Sequence, residues 1–216
     1  MQKEQVEKQP VKLYGTELVY LLLMSVITTL IGWLGENTTK LIGQGFIDSR
    51  FHLLPFIGPY GLIVFAVHLC FGSPDNICFF GHYLFKNPSK KTKVWSNIIT
   101  LVIMCSFVFL GELTFGNLWD VCFGVQLWNY TGHLCCVTQY TCLESTLGVG
   151  TAVYLIFKFI YQPLLHWIQK HVSIKTAKWI ICTLGVLILL DEIRLICYMI
   201  FTGAAPNYWK LVIFKK

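Results

Sequence analysis

The sequence predicts an all-α, polytopic membrane protein with about five transmembrane helices. Hydrophobic residues fill 55% of the 216 positions and charged residues only 13%, whereas soluble domains hold about 45–50% apolar and about 25% charged residues. The apolar residues gather into five blocks, each near the roughly 20 residues that cross a bilayer: 15–34, 54–73, 95–116, 144–162 and 179–201. We expect one transmembrane domain at 15–201, between an N-terminal segment at 1–14 and a C-terminal tail at 202–216.

Lysine and arginine in the connections predict the orientation, because these residues resist translocation. Three segments are lysine-rich and expected in the cytoplasm: Lys3, Lys8 and Lys12 before span 1, Lys86, Lys90, Lys91 and Lys93 in the second connection, and Lys170, Lys175 and Lys178 in the fourth. The first connection holds Lys40 and Arg50, and the third, 118–143, holds neither residue type. We therefore predict a multi-pass protein of the cell membrane with a cytoplasmic N-terminus, although five spans put Lys210, Lys215 and Lys216 outside. The net charge of +6 is expected to face anionic lipid headgroups rather than nucleic acid.

The first block carries a polar stripe that ends in an acid. The block has no small-residue cleavage pattern and is expected to remain as an anchor. The stripe consists of residues at steps of four, three and four: Ser25, Thr29, Gly32 and Glu36. This spacing places them on one helical face, where small residues let a second helix approach closely. We expect that face to contact protein or water.

Acidic residues fall together at the outer end of the predicted bundle. Glu36 ends span 1, Glu112 lies in the last turns of span 3, Asp120 follows that span and Glu144 opens span 4. Two carboxylates held close together repel or share a proton, and a guanidinium between them relieves the repulsion. We therefore expect Glu36, Arg50 and Glu112 to form one coupled cluster beneath the third connection.

The third connection is too aromatic for an ordinary solvated loop. It contains no basic residue but four large aromatic ones, Trp119, Trp128, Tyr130 and Tyr140. This composition is typical of a segment that lies in the membrane interface or folds back into a bundle. The connection is therefore a candidate re-entrant lid over the acidic cluster.

The same connection is rich in cysteine, with Cys122, Cys135, Cys136 and Cys142. An oxidising compartment permits disulfides there, and the sequence leaves open whether these cysteines are bridged or free. Their spacing does not offer the Cys-x2-Cys pairs of a zinc site, so no metal is expected.

The fifth block contains three charged residues near its middle, Asp191, Glu192 and Arg194. A charge at the centre of a transmembrane helix costs about 2.5–3.5 kcal/mol on insertion scales, so these residues need partners or a water-filled cavity. Asp191 and Arg194 are three residues apart and can pair on one helical face, which leaves Glu192 for Arg50 or another external base. Two interpretations stay open: a structural ion-pair network that fastens span 5 to the bundle, and a substrate or proton site.

Motifs for catalysis are not evident. The phosphate-binding pattern Gly-x4-Gly-Lys-Ser/Thr does not occur, so the chain is not expected to hydrolyse ATP alone. The stretch "DEIR" lacks the spacing and the paired histidines of an intramembrane metal protease. We expect no enzyme activity and no cofactor.

Five short motifs occur in a fixed order: "IGWLGE", "GFIDSRFHLLPFIGPYG", "GELTFG", "LWNYT" and the glycine-rich start of span 4. In that order they resemble the bacterial "putative type IV ABC-transporter permease" family of polytopic membrane proteins, over about residues 31–163. The resemblance carries over ten positions: Gly32, Trp33, Glu36, Arg50, Pro59, Tyr60, Gly61, Glu112, Trp128 and Tyr130. Phe51 stands where that family has glycine after the arginine, and Asn129 and Thr131 replace Asp and Ser.

The resemblance implies a permease-like transport component that works with a separate ATPase subunit. With the charge pattern, it predicts an outer-facing acidic cavity for a small solute, cationic or proton-coupled. The candidate polar cluster is Glu36, Arg50, Glu112, Glu144, Trp33, Trp128, Tyr130, Asp191, Glu192 and Arg194. The alternative is a non-transporting membrane protein that binds lipid or scaffolds a partner, with structural buried charges, and an enzyme acting on lipid is a third hypothesis. The expected partners are membrane lipid, the ATPase subunit and a second copy of the chain, and not nucleic acid.

Overall fold

The computed structural model describes residues 12–86, 89–133 and 135–214, and these form a bundle of five helical spans. The helices are α1 (Leu18–Gln44), α2 (Gly58–Phe71), α3 (Lys90–Phe123), α4 (Leu143–Ile156), a π-helix (Phe157–Tyr161), α5 (Gln162–His171) and α6 (Ile174–Thr202). The fourth span runs without a break through α4, the π-helix and α5. The predicted all-α class is confirmed. Four of the lysines used to predict the orientation, Lys3, Lys8, Lys215 and Lys216, lie outside the described residues.

Successive spans run in opposite directions. The amide of Ile57, just before α2, donates to the carbonyl of Thr29 in mid-α1 at 3.1 Å, whereas Tyr14, before α1, donates to the carbonyl of Leu69 near the end of α2 at 2.8 Å. We call the end of the bundle where α1, α3 and α6 begin the lysine end. The end where these three helices finish contains a cavity lined by Glu36 and Glu112, and we call it the cavity end.

Three segments are long and apolar enough to cross a membrane by length and composition: Leu18–Gln44, Lys90–Phe123 and Leu143–His171. Helix α6 has 29 residues but carries the charged group predicted above, which lowers its hydropathy. Helix α2 has only 14 residues, which span about 21 Å at 1.5 Å per residue, less than the roughly 30 Å of a bilayer core. The predicted span 54–73 is thus longer than the helix, because the residues before Gly58 form a loop inside the bundle.

Helices α1 and α3 are longer than the predicted spans 15–34 and 95–116, because apolar blocks mark only their most hydrophobic parts. Ser89 starts α3 with a capping box, in which its side chain accepts the amide hydrogen of Thr92 at 3.2 Å. Gly124 ends the helix at φ +65°, a left-handed conformation that glycine adopts without a steric cost. Asp120 therefore lies inside α3 rather than after the span.

The described part of the chain contains nine short strands, which lie at the helix ends. They form the pairs β1 (Lys12–Leu13) with β2 (Thr16–Glu17), β3 (Phe46–Asp48) with β9 (Lys210–Val212) and β7 (Cys136–Thr138) with β8 (Thr141–Cys142), and a three-stranded sheet of β4 (Gly72–Ser73), β5 (Asn76–Phe79) and β6 (His82–Tyr83). The antiparallel β3–β9 pair matches Phe46 with Val212 and Asp48 with Lys210. This pairing ties the connection after α1 to the tail after α6.

The stripe predicted on α1 is the surface on which α2 packs. The hydroxyl of Ser25 donates to the carbonyl of Gly61 at 2.8 Å. A Cβ atom on Gly61 would lie 2.5 Å from the carbonyl oxygen of Ser25, so glycine permits this close approach. Beyond it, buried apolar side chains of α1, α2, α3 and the fourth span form the main core: Leu21, Met24, Val67, Met104, Phe157 and Leu165.

Candidate functional site

The connection between α1 and α2 folds back into the bundle. The amides of Leu53 and Leu54 donate to Oδ2 of Asp191 at 3.0 and 3.1 Å. Asp191 lies about 16 Å from the end of α6 at 1.5 Å per residue, so this connection reaches the same depth. We expected re-entry of the third connection; the first connection is the one that reaches this mid-helix carboxylate.

The charged group of α6 holds this connection in place. Nε of Arg194 donates to Oδ1 of Asp191 at 2.8 Å, and its Nη2 donates to the carbonyl of Phe51 at 3.1 Å. The pairing of Asp191 and Arg194 is the one that their spacing predicts. Asp191 is 6% exposed, so two backbone amides and one guanidinium compensate an almost fully buried carboxylate.

Glu192 binds the start of α2, next to the same connection. Its Oε1 accepts the amide hydrogen of Gly58 at 2.8 Å, at the start of α2, where the helix dipole also favours a negative charge. Nδ1 of His52 lies 3.9 Å from Glu192 and 3.6 Å from Asp191. Arg50, expected as one partner of Glu192, pairs elsewhere. The Gly-Pro pair at 58–59 is a helix-start signal that could have indicated this arrangement from the sequence.

Glu36 and Arg50 form an ion pair at the cavity end. Tyr60 donates its hydroxyl to the other carboxylate oxygen, Oε1 of Glu36, at 2.8 Å. The backbone that presents Arg50 is left-handed at two successive residues, with φ +51° at Arg50 and +73° at Phe51. Such a conformation costs a residue with a side chain about 1–2 kcal/mol and costs glycine almost nothing. This explains why glycine suits the position of Phe51 in the family that the sequence resembles.

Glu112 is bound by hydroxyl groups alone. Its oxygens accept from Ser145 at 2.5 Å, Tyr130 at 3.0 Å and Thr141 at 3.2 Å. Burial raises the pKa of Tyr130 to about 12, so its hydroxyl stays protonated at neutral pH and remains a donor. Within residues 12–86, 89–133 and 135–214, no basic side chain forms an ion pair with Glu112. Ser145 and Thr141 could not be identified from the sequence, because isolated hydroxyls near the start of a helix carry no distinctive signal.

Glu36 and Glu112 line the same cavity, which has a volume of about 270 Å³. Its polar lining consists of Glu36, Arg50, His52, Tyr60, Glu112 and Glu192, and its apolar lining includes Met104, Phe107, Phe115, Val149, Leu195 and Met199. Measured from the start of each helix at 1.5 Å per residue, Glu36 lies at about 27 Å and Glu112 at about 33 Å. These heights are near the far edge of a bilayer core of about 30 Å.

The third connection covers this cavity. Trp119, Leu127 and Trp128 belong to its lining, and Nε1 of Trp128 donates to the carbonyl of Tyr140 at 2.8 Å. Tyr140 in turn donates to Asp120 at 2.5 Å. Of the aromatic residues that predicted a lid, Trp119 and Trp128 thus line the cavity, and Tyr140 is bound to Trp128.

Two predicted members lie apart from the cavity. Glu144 is exposed and lies 3.5 Å from Nδ1 of His133. Trp33 packs against Trp209 with ring centroids 6.2 Å apart, and neither tryptophan lines the cavity. Of the predicted cluster, therefore, Glu36, Arg50, Glu112, Trp128 and Glu192 line it, Tyr130 binds a lining residue, and Asp191 and Arg194 support it from α6.

The cysteines of the third connection are free thiols. Cys136 and Cys142 are cross-strand neighbours in β7 and β8. The thiol of Cys136 donates to the carbonyl of Tyr130 at 2.8 Å, and Cys142 accepts the amide hydrogen of Ser145 at 3.3 Å. The described residues also contain no cluster of three or more potential metal ligands.

The chain matches the model of a known protein family. No curated protein and no solved structure matches the chain. A family model described as "Putative ABC-transporter type IV" matches residues 20–196, which include all five helical spans up to the charged group of α6. The chain belongs to this family of ABC-transporter proteins.

Proposed function

We propose that this chain is the permease-like membrane component of a transporter and that its cavity binds a small organic cation. Family membership supports a general role in transport. The observation that carries the choice of a cation is Glu112, a carboxylate at the cavity with neutral donors for partners.

The balance of charge around the cavity supports a cationic ligand. Three carboxylates and one guanidinium line it. Arg50 compensates Glu36, and the amide of Gly58 at the start of α2 compensates Glu192. A cation about 4 Å from Glu112 would gain about 4 kcal/mol at an effective dielectric constant of about 20, before the cost of its own desolvation. The uncompensated carboxylate therefore favours a cation over a neutral molecule of the same shape.

The remaining walls favour a ligand with an apolar body. Methionine, phenylalanine, valine and leucine side chains form most of the other lining. The volume of about 270 Å³ is just below the usual range of about 300–1,000 Å³ for small-molecule sites. A short alkylammonium ion combines the charge, the apolar body and the size that this cavity would accept.

Energy for transport would come from a separate subunit in this proposal. The chain has no phosphate-binding loop of the Gly-x4-Gly-Lys-Ser/Thr type, so a partner ATPase would supply ATP hydrolysis. The lysine end is the proposed cytoplasmic side, by the positive-inside rule, and is where that partner would bind.

Binding of n-alkylammonium ions to the purified chain tests the cation site. Trp119 and Trp128 line the cavity, so tryptophan fluorescence should report occupancy. We expect Glu112→Gln to weaken binding by at least about tenfold, because the variant keeps the shape and removes the charge. Glu144→Gln is the matched control, since its carboxylate is 61% exposed and lies away from the cavity.

The n-alkanols of equal length separate charge recognition from simple burial of an alkyl chain. Binding of alkanols as tight as that of alkylammonium ions, or unchanged binding by Glu112→Gln, would contradict the proposal.

One observation favours the second candidate, a non-transporting protein that binds lipid or a partner. The charges of α6 have backbone and side-chain partners that fix the α1–α2 connection, as a structural network would. Tightly retained lipid in the cavity, together with no response to any alkylammonium ion, would support that function instead.

A further inference from the structure

A second cavity, of about 340 Å³, lies near the lysine end of the bundle. The turn before α1, the end of α2 with strands β4 and β5, and the π-helix with α5 enclose it. It shares no lining residue with the cavity that contains Glu112. The proposed transport site therefore does not account for it.

The π-helix and α5 together bring polar side chains to this cavity. Lys158, Gln162 and His166 recur every four residues and all belong to its lining. The wider i→i+5 turn of a π-helix replaces the α-helical turn at Phe157–Tyr161, and such turns occur often at functional sites. The four-residue spacing places these three side chains on one face of the fourth span.

Two buried polar atoms at this cavity have no hydrogen-bond partner within the described residues. His68 is only 3% exposed, and its Nδ1 forms no hydrogen bond. Nε2 of Gln162 is also buried without a hydrogen bond. A buried polar group without a partner is costly, and both side chains belong to residues that line the cavity.

The charged groups at the cavity favour an anion. Lys158 is half-buried and forms no ion pair with any residue that the structure describes. The acid in the lining, Asp75, has basic and amide partners, with Nζ of Lys93 at 4.0 Å and Nδ2 of Asn97 at 3.3 Å. Glu17 directly follows Thr16, a residue of the lining, but is not itself part of the lining. The lining thus presents an ammonium group that contacts the rings of Tyr154 and Phe159 but has no anionic partner among the described residues, next to uncharged donors.

We infer that this second cavity binds a phosphate group, with Lys158 as its charged contact and Gln162, His68 and His166 as hydrogen-bond donors. An ammonium ion, an amide and imidazole rings together supply several N–H donors to a tetrahedral oxyanion. Phosphate could come from a lipid headgroup or from a free anion. Phe159, which is 63% exposed and lines the cavity, gives the rim an apolar side that suits a lipid, and basic pockets between transmembrane helices bind phosphorylated headgroups.

Phosphorus NMR of the purified chain in a phosphorus-free detergent tests this site. The probes are inorganic phosphate, dihexanoyl phosphatidic acid and, in a competition experiment, dihexanoylglycerol, which lacks the phosphate. We expect saturable broadening of at least one phosphorus signal and no competition by dihexanoylglycerol. Binding of both phosphorus probes would assign the site to phosphate itself, whereas binding of phosphatidic acid alone would assign it to a lipid headgroup.

Lys158→Met should weaken the binding about tenfold or more, because a charge-assisted hydrogen bond is lost. Lys175→Met is the matched control at the same end, where the lysine is exposed and does not line the cavity. His166→Gln, at an exposed position, serves as a second test if Lys158→Met fails to fold, and should weaken binding relative to Lys175→Met. The inference is overturned if neither phosphorus probe saturates, if dihexanoylglycerol competes equally well, or if the variants of the lining bind like the control.

Discussion

Replacing Asp191 by asparagine should destabilise the protein strongly. The variant keeps the shape of the side chain but removes the charge that binds Arg194 at 2.8 Å and the amides of Leu53 and Leu54. The carboxylate is 6% exposed, and removing one partner of a buried ion pair costs about 3–5 kcal/mol. For a chain of this size, each kcal/mol lowers the midpoint of thermal unfolding by about 2–4 °C, so we expect a decrease of about 6–20 °C.

Thermal unfolding in detergent, followed by size-exclusion chromatography of the remaining folded protein, measures this decrease. Asp75→Asn is the matched control, because the Asp75 side chain is 58% exposed and its ion pair spans 4.0 Å; exposed pairs contribute about 0–1 kcal/mol. Adding Arg194→Met to Asp191→Asn should cost less than the sum of the two single changes. A midpoint for Asp191→Asn equal to that of the control, or additive effects in this cycle, would refute the account of how α6 holds the α1–α2 connection.

Three further predictions concern the packing, the ion pair and the orientation. Gly61→Ala should cost about 1–3 kcal/mol by overpacking α2 against α1, whereas Gly35→Ala, with no atom within 4 Å of the new Cβ, should be neutral or stabilising in the same unfolding assay; equal midpoints would contradict the close approach. Arg50→Lys and Glu36→Gln should be non-additive in a double-mutant cycle because they form the ion pair, while Arg50→Lys and Glu112→Gln should be additive in stability; the reverse pattern would restore the coupling first expected between Arg50 and Glu112. In a chain without native cysteines, a cysteine placed in the β7–β8 hairpin should react with an impermeant reagent from outside the cell, and one in the second connection only after permeabilisation; the opposite result would reverse the proposed orientation.

Much of the helical architecture follows from the sequence, because apolar blocks near the bilayer-spanning length have few structural alternatives. The blocks 15–34 and 95–116 locate α1 and α3 and miss only their polar extensions. The short length of α2 was not predictable in this way, since the residues 54–57 are as apolar as the helix that follows. Hydropathy reports the solvent that a segment avoids and does not distinguish a helix from a buried loop.

Parts of the candidate site also follow from local spacing. The i,i+3 relation of Asp191 and Arg194 is a property of one helix and therefore predicts their contact. The hydrogen-bond partner of Glu192, Gly58 at the start of α2, lies more than 130 residues earlier in the chain, and no periodic pattern links the two residues. The same limit applies to the three residue pairs of β3 and β9, because strands this short carry no recognisable alternation.

The structural and functional interpretations of the α6 charges need not exclude each other. The connection that presents Arg50 is fixed to α6 through Asp191 and Glu192 and to the tail after α6 through β3 and β9, while Arg50 itself binds Glu36 on α1. A displacement of α6 relative to α1 would therefore have to break one of these attachments or move Arg50 away from Glu36. Since Arg50 and Glu36 both line the cavity, either event would change the charge that the cavity presents to a ligand. A network that stabilises the bundle at rest can thus also couple movement of α6 to the affinity of the proposed cation site.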